Sequence, residues 1–460
     1  MRYFIDRFFS VRSLTLLVMD VVVVTLTTIA AVWLRLGHPA AFTLSVEGYR
    51  YAIVLIIMVH MMALYYHELY SLKGTVDVKQ MAVNVAQSVA VSSAALFGLY
   101  YLVPQLAIGR GIFIFNLLLL PLLLTGTRVI YLWMGHRDAL LQRIAILGEP
   151  QGVAEVWGRL GGSTNYKLVG AILPDGDAFD DGEAIPVLGH TDNLRKVVPA
   201  HAIDGLIVAM RERRGRLPLE DLLYLKMGGI RVDNQDNFLE RVTGRVPVTG
   251  LPPSSLVFSD GFRRIDAYQR LKSIPDRLLA MVLLLVLLPF LVLVGLLVFL
   301  DSPGAVLYRQ TRVGRAGTLF QIAKFRTMRT NAEQGGAQFA GADDPRITRL
   351  GRYLRKLRID ELPQLVNVIK GEMAFVGPRP ERPEFVNDLQ RQIPYYYLRT
   401  VVRPGITGWA QIRYPYGETL TQHREKLEHD LYYIKNISMT LDTLIAIDTV
   451  RVMLFARGSR

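Results

Sequence analysis

Long apolar stretches and short alternating segments divide this chain before any single residue is considered. Four apolar stretches occupy residues 14–34, 52–69, 82–102 and 112–134, each about the 20 residues a helix needs to cross a bilayer. A fifth, Leu278 to Leu300, carries no charge but holds Pro289 in its middle. Between the fourth and fifth, residues 143–148 read as a short buried strand ending in glycine, followed by a helical pattern through Val153, Val156, Trp157 and Leu160. Further strands are predicted at Lys167–Leu173, Val187–Leu188 and Gly205–Ala209, with helices between them. Strand and helix in alternation predict a parallel α/β sheet. From Gln310 onward the chain turns dense in charge, glycine and proline.

Composition sharpens this picture. At 460 residues the chain is long enough for about three domains. Hydrophobic residues make up 51% and the mean hydropathy is +0.26, which argues against disorder and against an ordinary soluble protein. Lys and Arg number 53 against 40 Asp and Glu, a net charge of +13. Such a balance alone does not separate nucleic acid, anionic lipid and phosphorylated substrates as partners. The absence of cysteine excludes a disulfide, a thiol nucleophile and a Cys-based zinc site. The eight histidines show no metal-ligand spacing.

The first apolar stretch follows Arg2, Arg7 and Arg12, with only Asp6 against them. It lacks the short apolar core and cleavage site of a signal peptide, so it is read as retained, with a cytoplasmic N-terminus. Four spans then return the chain to the cytoplasm at His136–Arg143. Asp20, Asn116 and Arg128 lie in or near the ends of these spans. Arg128 is expected to snorkel to the inner interface and Asn116 to bond to a neighbouring helix. The fifth stretch has two readings. A spanning helix would put residues 301–460 outside, whereas a break at Pro289 would return the chain to the same face. Proline also occurs in ordinary spanning helices, so length and Pro289 alone leave both open.

In the α/β region the first strand-to-helix turn has Gly148 and Gly152 but not the three-glycine dinucleotide fingerprint. No acidic residue stands clearly where a ribose ligand would be, so NAD is not expected. The better reading is a structural or regulatory Rossmann-like module.

The chemistry gathers in the C-terminal third. Gln310-Thr311-Arg312-Val313-Gly314 leads into Lys324-Phe325-Arg326-Thr327-Met328, and Asp343-Asp344-Pro345-Arg346-Ile347-Thr348 opens a basic amphipathic helix carrying Arg349, Arg352, Arg355, Lys356 and Arg358. Such a helix suits an anionic membrane surface or a diphosphate. Next comes Asp360-Glu361-Leu362-Pro363. In one reading Asp360 is a plain helix cap ahead of Pro363. In the other, two adjacent carboxylates at a helix start hold Mg²⁺ or supply a nucleophile. Gly377-Pro378-Arg379-Pro380 and Arg403-Pro404-Gly405-Ile406-Thr407-Gly408-Trp409-Ala410-Gln411 add two rigid loops, each with an arginine. A carboxylate pair, several arginines and a nearby membrane segment together describe phosphoryl transfer at a bilayer surface.

Residues 268–460 closely resemble the bacterial sugar transferases that are monotopic phosphoglycosyl transferases. The resemblance rests on Lys324–Met328, Asp344–Thr348, Ile359–Gln364, Lys370–Pro380, Arg403–Gln411 and Leu431–Ile437, in that order. Four spans and an α/β module ahead of them look like the large subgroup that makes undecaprenyl-diphosphate-hexoses for capsule, exopolysaccharide or O-antigen. The resemblance implies attack by Asp360 on the sugar-bearing phosphorus of a UDP-hexose, departure of UMP, and transfer of hexose 1-phosphate (glucose or galactose by default) to undecaprenyl phosphate. It implies Mg²⁺ held by Asp360 and Glu361, phosphate contacts from Arg355 and Arg379, and Lys324, Arg326, Arg403 and Gln411 completing the substrate-binding set. It also implies a re-entrant membrane helix at about 275–300 broken at Pro289, which keeps Asp360 on the cytoplasmic face of the bacterial inner membrane with its nucleotide substrate. The chain departs from the family by carrying Leu288 where a serine often precedes that proline.

The expected architecture is therefore a membrane-embedded α-helical four-helix bundle (1–137), a Rossmann-like α/β middle domain (138–267) and a mainly α catalytic domain with a re-entrant membrane helix (268–460). The expected partners are UDP-hexose, undecaprenyl phosphate and membrane lipids. A homodimer through the α/β module fits the architecture, and nucleic acid is not expected. Two rivals are weighed. A membrane-anchored nucleotide-sugar epimerase or dehydratase needs an intact glycine fingerprint and a Tyr-x-x-x-Lys pair, and neither stands between residues 143 and 250. A non-catalytic scaffold for polysaccharide export leaves the Asp360-Glu361 pair and its arginines without a purpose.

Overall fold

The computed structural model describes residues 11–36, 50–67, 69–70, 78–106, 108–135, 142–160, 166–179, 185–210, 217–248, 256, 261–262, 265–329, 344–414 and 419–455. The chain divides into two compact units, Met1–Phe238 and Leu239–Arg460.

The first unit opens with four apolar helices, α1 (Val11–Leu36), α2 (Arg50–Tyr66), α3 (Val78–Leu102) and α4 (Arg110–Gly135). By length and composition α1, α3 and α4 can each cross a membrane, and α2 is a shorter apolar helix. Helix α1 packs on α2 and α4, and α3 does the same, around a core that includes Val24, Ile56, Val85 and Leu120. Some of the polar side chains inside it are paired across helices. Thr28 Oγ1 donates to Asn116 Oδ1 at 3.5 Å, the interhelical bond expected of Asn116. Arg128 does not snorkel. It is 2% exposed and forks onto Asp20, itself fully buried, with Nη1–Oδ1 at 2.9 Å and Nη2–Oδ2 at 2.8 Å. Lacking water, this charge is satisfied by an opposite charge on another helix, not by the interface.

The α/β part holds five parallel strands, β1 (Gln142–Gly148), β2 (Tyr166–Leu173), β3 (Val187–His190), β4 (Gly205–Ala209) and β5 (Arg231–Asn234), in the order β3-β2-β1-β4-β5. Alternate residues Ala145, Leu147, Leu206 and Val208 pack against α6 (Leu194–Ala200) and α7 (Leu219–Met227). The intervening Ile144, Ile146 and Ile207 are equally buried, so both faces are covered. Helix α5 (Pro150–Leu160) follows β1 directly. A Cβ on Gly148 or Gly152 would strike the carbonyl of Ala209, so close approach to β4 requires both glycines. Helix α8 (Gln235–Thr243) follows β5.

The second unit is built on α9 (Ile265–Asp301), a helix of 37 residues that runs through Pro275 and Pro289 and spans about 56 Å at 1.5 Å per residue. One stripe is buried or half-buried on both sides of Pro289. Before Pro289, Ala280, Leu284 and Leu287 pack on Ile322, Leu365 and Val368. After it, Leu291, Val294 and Val298 pack on Phe325 and Leu354. The remaining faces expose Leu278, Val282, Leu285, Val286, Leu293 and Leu297 among others. An antiparallel hairpin follows, β6 (Leu307–Val313) with β7 (Leu319–Phe325), which the sequence pattern did not reveal. Then come α10 (Arg349–Lys356), a 3₁₀ turn over Ile359–Gln364, and α11 (Leu365–Lys370). Strands β8 (Ala374–Val376) and β9 (Gly405–Thr407) form a two-stranded parallel pair. Helices α12 (Pro383–Gln392), α13 (Trp409–Arg413), α14 (Leu420–Lys435) and α15 (Met439–Phe455) complete the unit. Residues 240–248 already belong to it: Trp409 Nε1 donates to the Gly244 carbonyl at 2.8 Å, and Lys435 pairs with Glu240 at 2.6 Å.

Candidate active site

The acidic pair sits where α10 ends. Helix α10 starts on a true cap, Thr348 Oγ1 accepting from the Gly351 amide at 2.9 Å. After Lys356 the chain turns through Arg358, a non-glycine residue at φ 54°. That left-handed backbone costs about 1–3 kcal/mol and recurs at functional sites. It redirects the chain into the 3₁₀ turn, which packs against β7. Asp360 and Glu361 are thereby buried, 7% and 8% exposed. Neither caps a helix: the capping residues are Arg358 for the turn and Gln364 for α11, with no side-chain cap bond at either. The plain-cap reading of Asp360 is thus corrected.

The two carboxylates differ in their partners. Glu361 is held by Arg379 Nη2 at 2.7 Å and approached by Arg358 Nη1 at 4.0 Å. Burial opposes its ionisation, yet Arg379 and Arg358 outweigh that and keep it below the usual carboxylate range. Asp360 accepts no hydrogen bond from any described residue. Burial first, and the Glu361 charge second, push it up to about 6, while Lys324, Arg355 and Arg379 pull the other way. The pair thus places one clamped carboxylate beside one that is desolvated, unbonded and within reach of three cations.

Those cations arrive from separate elements. Lys324 lies on β7 opposite Tyr308 of β6, with Nζ 5.6 Å from the Tyr308 ring centre. Burial, then Arg312 and Arg379, lower its ammonium to about 8. Arg355 of α10 donates from Nε to Thr327 Oγ1 at 2.8 Å. Arg379 comes from the loop after β8. That loop is seated on the loop around β9: a Cβ on Gly405 would strike the main chain of Gly377, and one on Gly377 would strike the Arg403 carbonyl. Three further residues line the same hairpin face, since positions two apart on a strand share a side. Tyr308, Gln310 and Arg312 alternate along β6, with Gln310 bonded to Tyr308 at 3.0 Å and Arg312 to Gln310 at 2.5 Å. Their period-two spacing was visible, but only pairing with β7 shows which face Lys324 shares.

The structure gathers Asp360, Glu361, Lys324, Arg355 and Arg379, and directs the other expected site residues elsewhere. Arg403 bonds to Gln269 Oε1 at 3.1 Å and Ser273 Oγ at 2.9 Å, on the first turns of α9. Arg326 donates to the Ser302 carbonyl just past the end of α9. Gln411 donates to the Ile406 carbonyl at 3.3 Å, with Oε1 unpartnered among the described residues. Asp343 and residues 415–418 lie outside the described residues. Among the described residues no cluster of three or more His, Asp or Glu side chains is placed to hold a metal ion. Two adjacent carboxylates fit Mg²⁺ all the same, because this ion commonly takes one or two carboxylates and completes its shell with substrate phosphate and water.

Sequence comparison assigns the unit that carries these residues to a family. The family description "Bacterial sugar transferase" matches residues 267–456, the whole stretch from α9 through α15. A Rhizobium leguminosarum bv. phaseoli relative, "Exopolysaccharide production protein PSS", is 43% identical over 173 residues, 36% of this chain and 86% of the relative. The chain belongs to the bacterial sugar transferase family. Two further relatives are named for the transfer itself. The "UDP-N-acetylgalactosamine-undecaprenyl-phosphate N-acetylgalactosaminephosphotransferase" of Aeromonas hydrophila is 45% identical over 221 residues, 48% of this chain and 52% of the relative. The "UDP-glucose:undecaprenyl-phosphate glucose-1-phosphate transferase" of Escherichia coli (strain K12) is 40% identical over 214 residues, 46% of this chain and 44% of the relative. The chain thus spans about half the length of these two sugar transferases.

Proposed function

We propose that this protein transfers a sugar 1-phosphate from a UDP-sugar to undecaprenyl phosphate, at the cytoplasmic face of a bacterial inner membrane, as a first step of surface polysaccharide synthesis. The observation that carries the reading is the contrast within the acidic pair. A buried carboxylate with no hydrogen bond, beside a clamped one and near three cations, suits a nucleophile for an anionic phosphorus. An Asp360 oxygen attacks the sugar-bearing phosphorus, and the bond from that phosphorus to the bridging oxygen breaks. UMP departs with the bridging oxygen, leaving an aspartyl-phosphosugar. A phosphate oxygen of undecaprenyl phosphate then attacks the same phosphorus and returns Asp360 as a carboxylate. Lys324, Arg355 and Arg379 offset charge on the diphosphate before attack, which is where most of the rate enhancement of phosphoryl transfer arises. Asp360 and Glu361 would hold Mg²⁺, whose charge would further offset that of the diphosphate.

The membrane reading rests on α9. Residues on both sides of Pro289 pack on the same globular unit, while the outer faces stay apolar and exposed. Helix α9 runs unbroken through Pro289, so the break expected there is not seen; its attachment to one unit on both sides of Pro289 supports a path that keeps residues 301–460 on the near side over a full crossing. Helices α1–α4 would add a membrane anchor.

The test is UMP release by purified protein with Mg²⁺, undecaprenyl phosphate and a panel of UDP-sugars. The panel spans UDP-glucose, UDP-galactose and UDP-N-acetylgalactosamine, because the named relatives divide between glucose and N-acetylgalactosamine. UMP with one donor supports the reading, and its absence with all of them refutes it.

A further inference from the structure

The loop that presents Arg379 is tethered at four consecutive carbonyls, each by a different partner. Pro378 O accepts from the Gly405 amide at 3.0 Å and Glu381 O from the Val313 amide at 3.0 Å. Pro380 O accepts from Arg312 Nη1 at 3.1 Å. Arg379 O accepts from Arg399 Nη2 at 3.2 Å. Pro378 and Pro380 have no amide hydrogen to donate, so carbonyl bonds carry most of the restraint.

Arg399 is the most deeply engaged of these donors. It lies on the 3₁₀ turn Tyr396–Val401 and is buried among partners that fix its plane. Nε donates to Asp430 Oδ2 at 3.1 Å, and Nη2 stands 2.8 Å from the same oxygen. Nη1 donates to Tyr396 Oη at 2.5 Å. Asp430 and Tyr396 are themselves buried, Asp430 on α14. Tyr396 packs in the core, whereas Tyr397 beside it is exposed. If Arg399 served only to join α14 to its own turn, Asp430 and Tyr396 would suffice. The bond to Arg379 O continues the chain to the residue whose guanidinium meets Glu361 at 2.7 Å.

We propose that Arg399, locked by Asp430 and Tyr396, is a positioning residue that fixes the Arg379 peptide and so aims the Arg379 guanidinium at Glu361. This rests on the transferase reading for its kinetic consequence, but its geometric content does not. A guanidinium can hold three partners in one plane, whereas an ammonium cannot, so Arg399→Lys keeps the charge and loses the fork.

The experiment compares full-length purified wild type, Arg399→Lys, Tyr396→Phe, Arg379→Gln and the Arg379→Gln/Arg399→Lys pair. Misplacement of a site group by about 1 Å can cost up to about 100-fold. Arg399→Lys is therefore expected to lower kcat at least about tenfold while donor KM moves less than about threefold. In the Arg379→Gln background the same change is expected to cost less than about twofold, because its target is gone. Tyr396→Phe, which removes one acceptor only and leaves the buried ion pair intact, is expected to fall between wild type and Arg399→Lys. Full activity in Arg399→Lys, or an equal loss in both backgrounds, overturns the proposal. Hydrogen exchange of the Val313 and Gly405 amides, which donate to this loop, is read on the same samples. Faster exchange there in Arg399→Lys supports the proposal, and unchanged exchange overturns it, whether or not any donor is turned over. A wild type that releases no UMP defeats the transferase reading alone.

Discussion

Replacing Lys272 with methionine tests how the base of α9 is fastened to the catalytic unit. Lys272 stands just ahead of the apolar stretch, where a lysine ordinarily lies in water. Instead it is 3% exposed, with Nζ 2.6 Å from Asp442 of α15 and 2.8 Å from the Val376 carbonyl at the end of β8. Asp442 also accepts from Tyr268 Oη at 2.7 Å and Tyr433 Oη at 2.8 Å. Removing one partner of a buried ion pair costs about 3–5 kcal/mol, because the other charge is left uncompensated. The two retained hydroxyl bonds, each about 1 kcal/mol, reduce this to about 1–3 kcal/mol. For a unit of this size each kcal/mol lowers Tm by about 2–4 °C, so Lys272→Met should lower it by about 2–12 °C. Fluorescence-detected thermal unfolding of the detergent-solubilised protein measures the shift. The Lys272→Met/Asp442→Leu pair should recover most of the loss, since apolar groups of similar volume replace buried pairs at little cost. A shift below about 1 °C, as an exposed ion pair would give, refutes the argument. So does a double variant no better than the single one.

Other outcomes follow from particular contacts. Asp20→Asn should destabilise α1–α4 by about 3 kcal/mol by leaving Arg128 unpaired, and Asp20→Asn/Arg128→Met should restore resistance to detergent-induced unfolding; equal fragility of both variants would contradict this. Gly405→Ala places a methyl against the Gly377 main chain and should cost at least about 1–3 kcal/mol of stability with loss of turnover; a fully active, equally stable variant would show the two loops need not touch. His429, whose Nδ1–H donates to the Glu425 carbonyl at 2.8 Å, is lowered to about 4 by burial. Between pH about 6.5 and 4 the unfolded chain binds a proton the folded one lacks, so stability is full above 6.5 and falls by up to about 3 kcal/mol on descent to 4. His429→Gln should flatten that slope in melting curves taken from pH 7.5 to 4.5, and an unchanged slope would sink the assignment.

Features decided by neighbours in sequence were legible in the chain, and those decided by distant contacts were not. The apolar stretches became α1–α4 and α9, because a run of apolar residues fixes its own burial. Strands at residues 143–148, 167–173 and 205–209 likewise follow local alternation. Asp360 and Glu361 could be marked from their adjacency, yet their different surroundings come from Arg379 and Arg358 approaching only Glu361. Arg128 looked like an interface residue because its partner Asp20 lies on another helix. Arg403 and Arg379 stand in loops of similar composition, but the first turns to α9 and the second to Glu361. Nothing local separates them. Tyr308 escaped notice, and Gln310 and Arg312 were marked without a face, for the same reason: a polar strand acquires meaning only when its partner strand supplies Lys324.

The most direct measurement is intact-protein mass spectrometry after incubation with the active UDP-sugar and Mg²⁺ but without undecaprenyl phosphate. The account predicts a mass increase of one sugar phosphate, mapped to the peptide containing Asp360, discharged by undecaprenyl phosphate and absent in Asp360→Asn. No adduct in wild type, together with UMP release retained by Asp360→Asn, would contradict it.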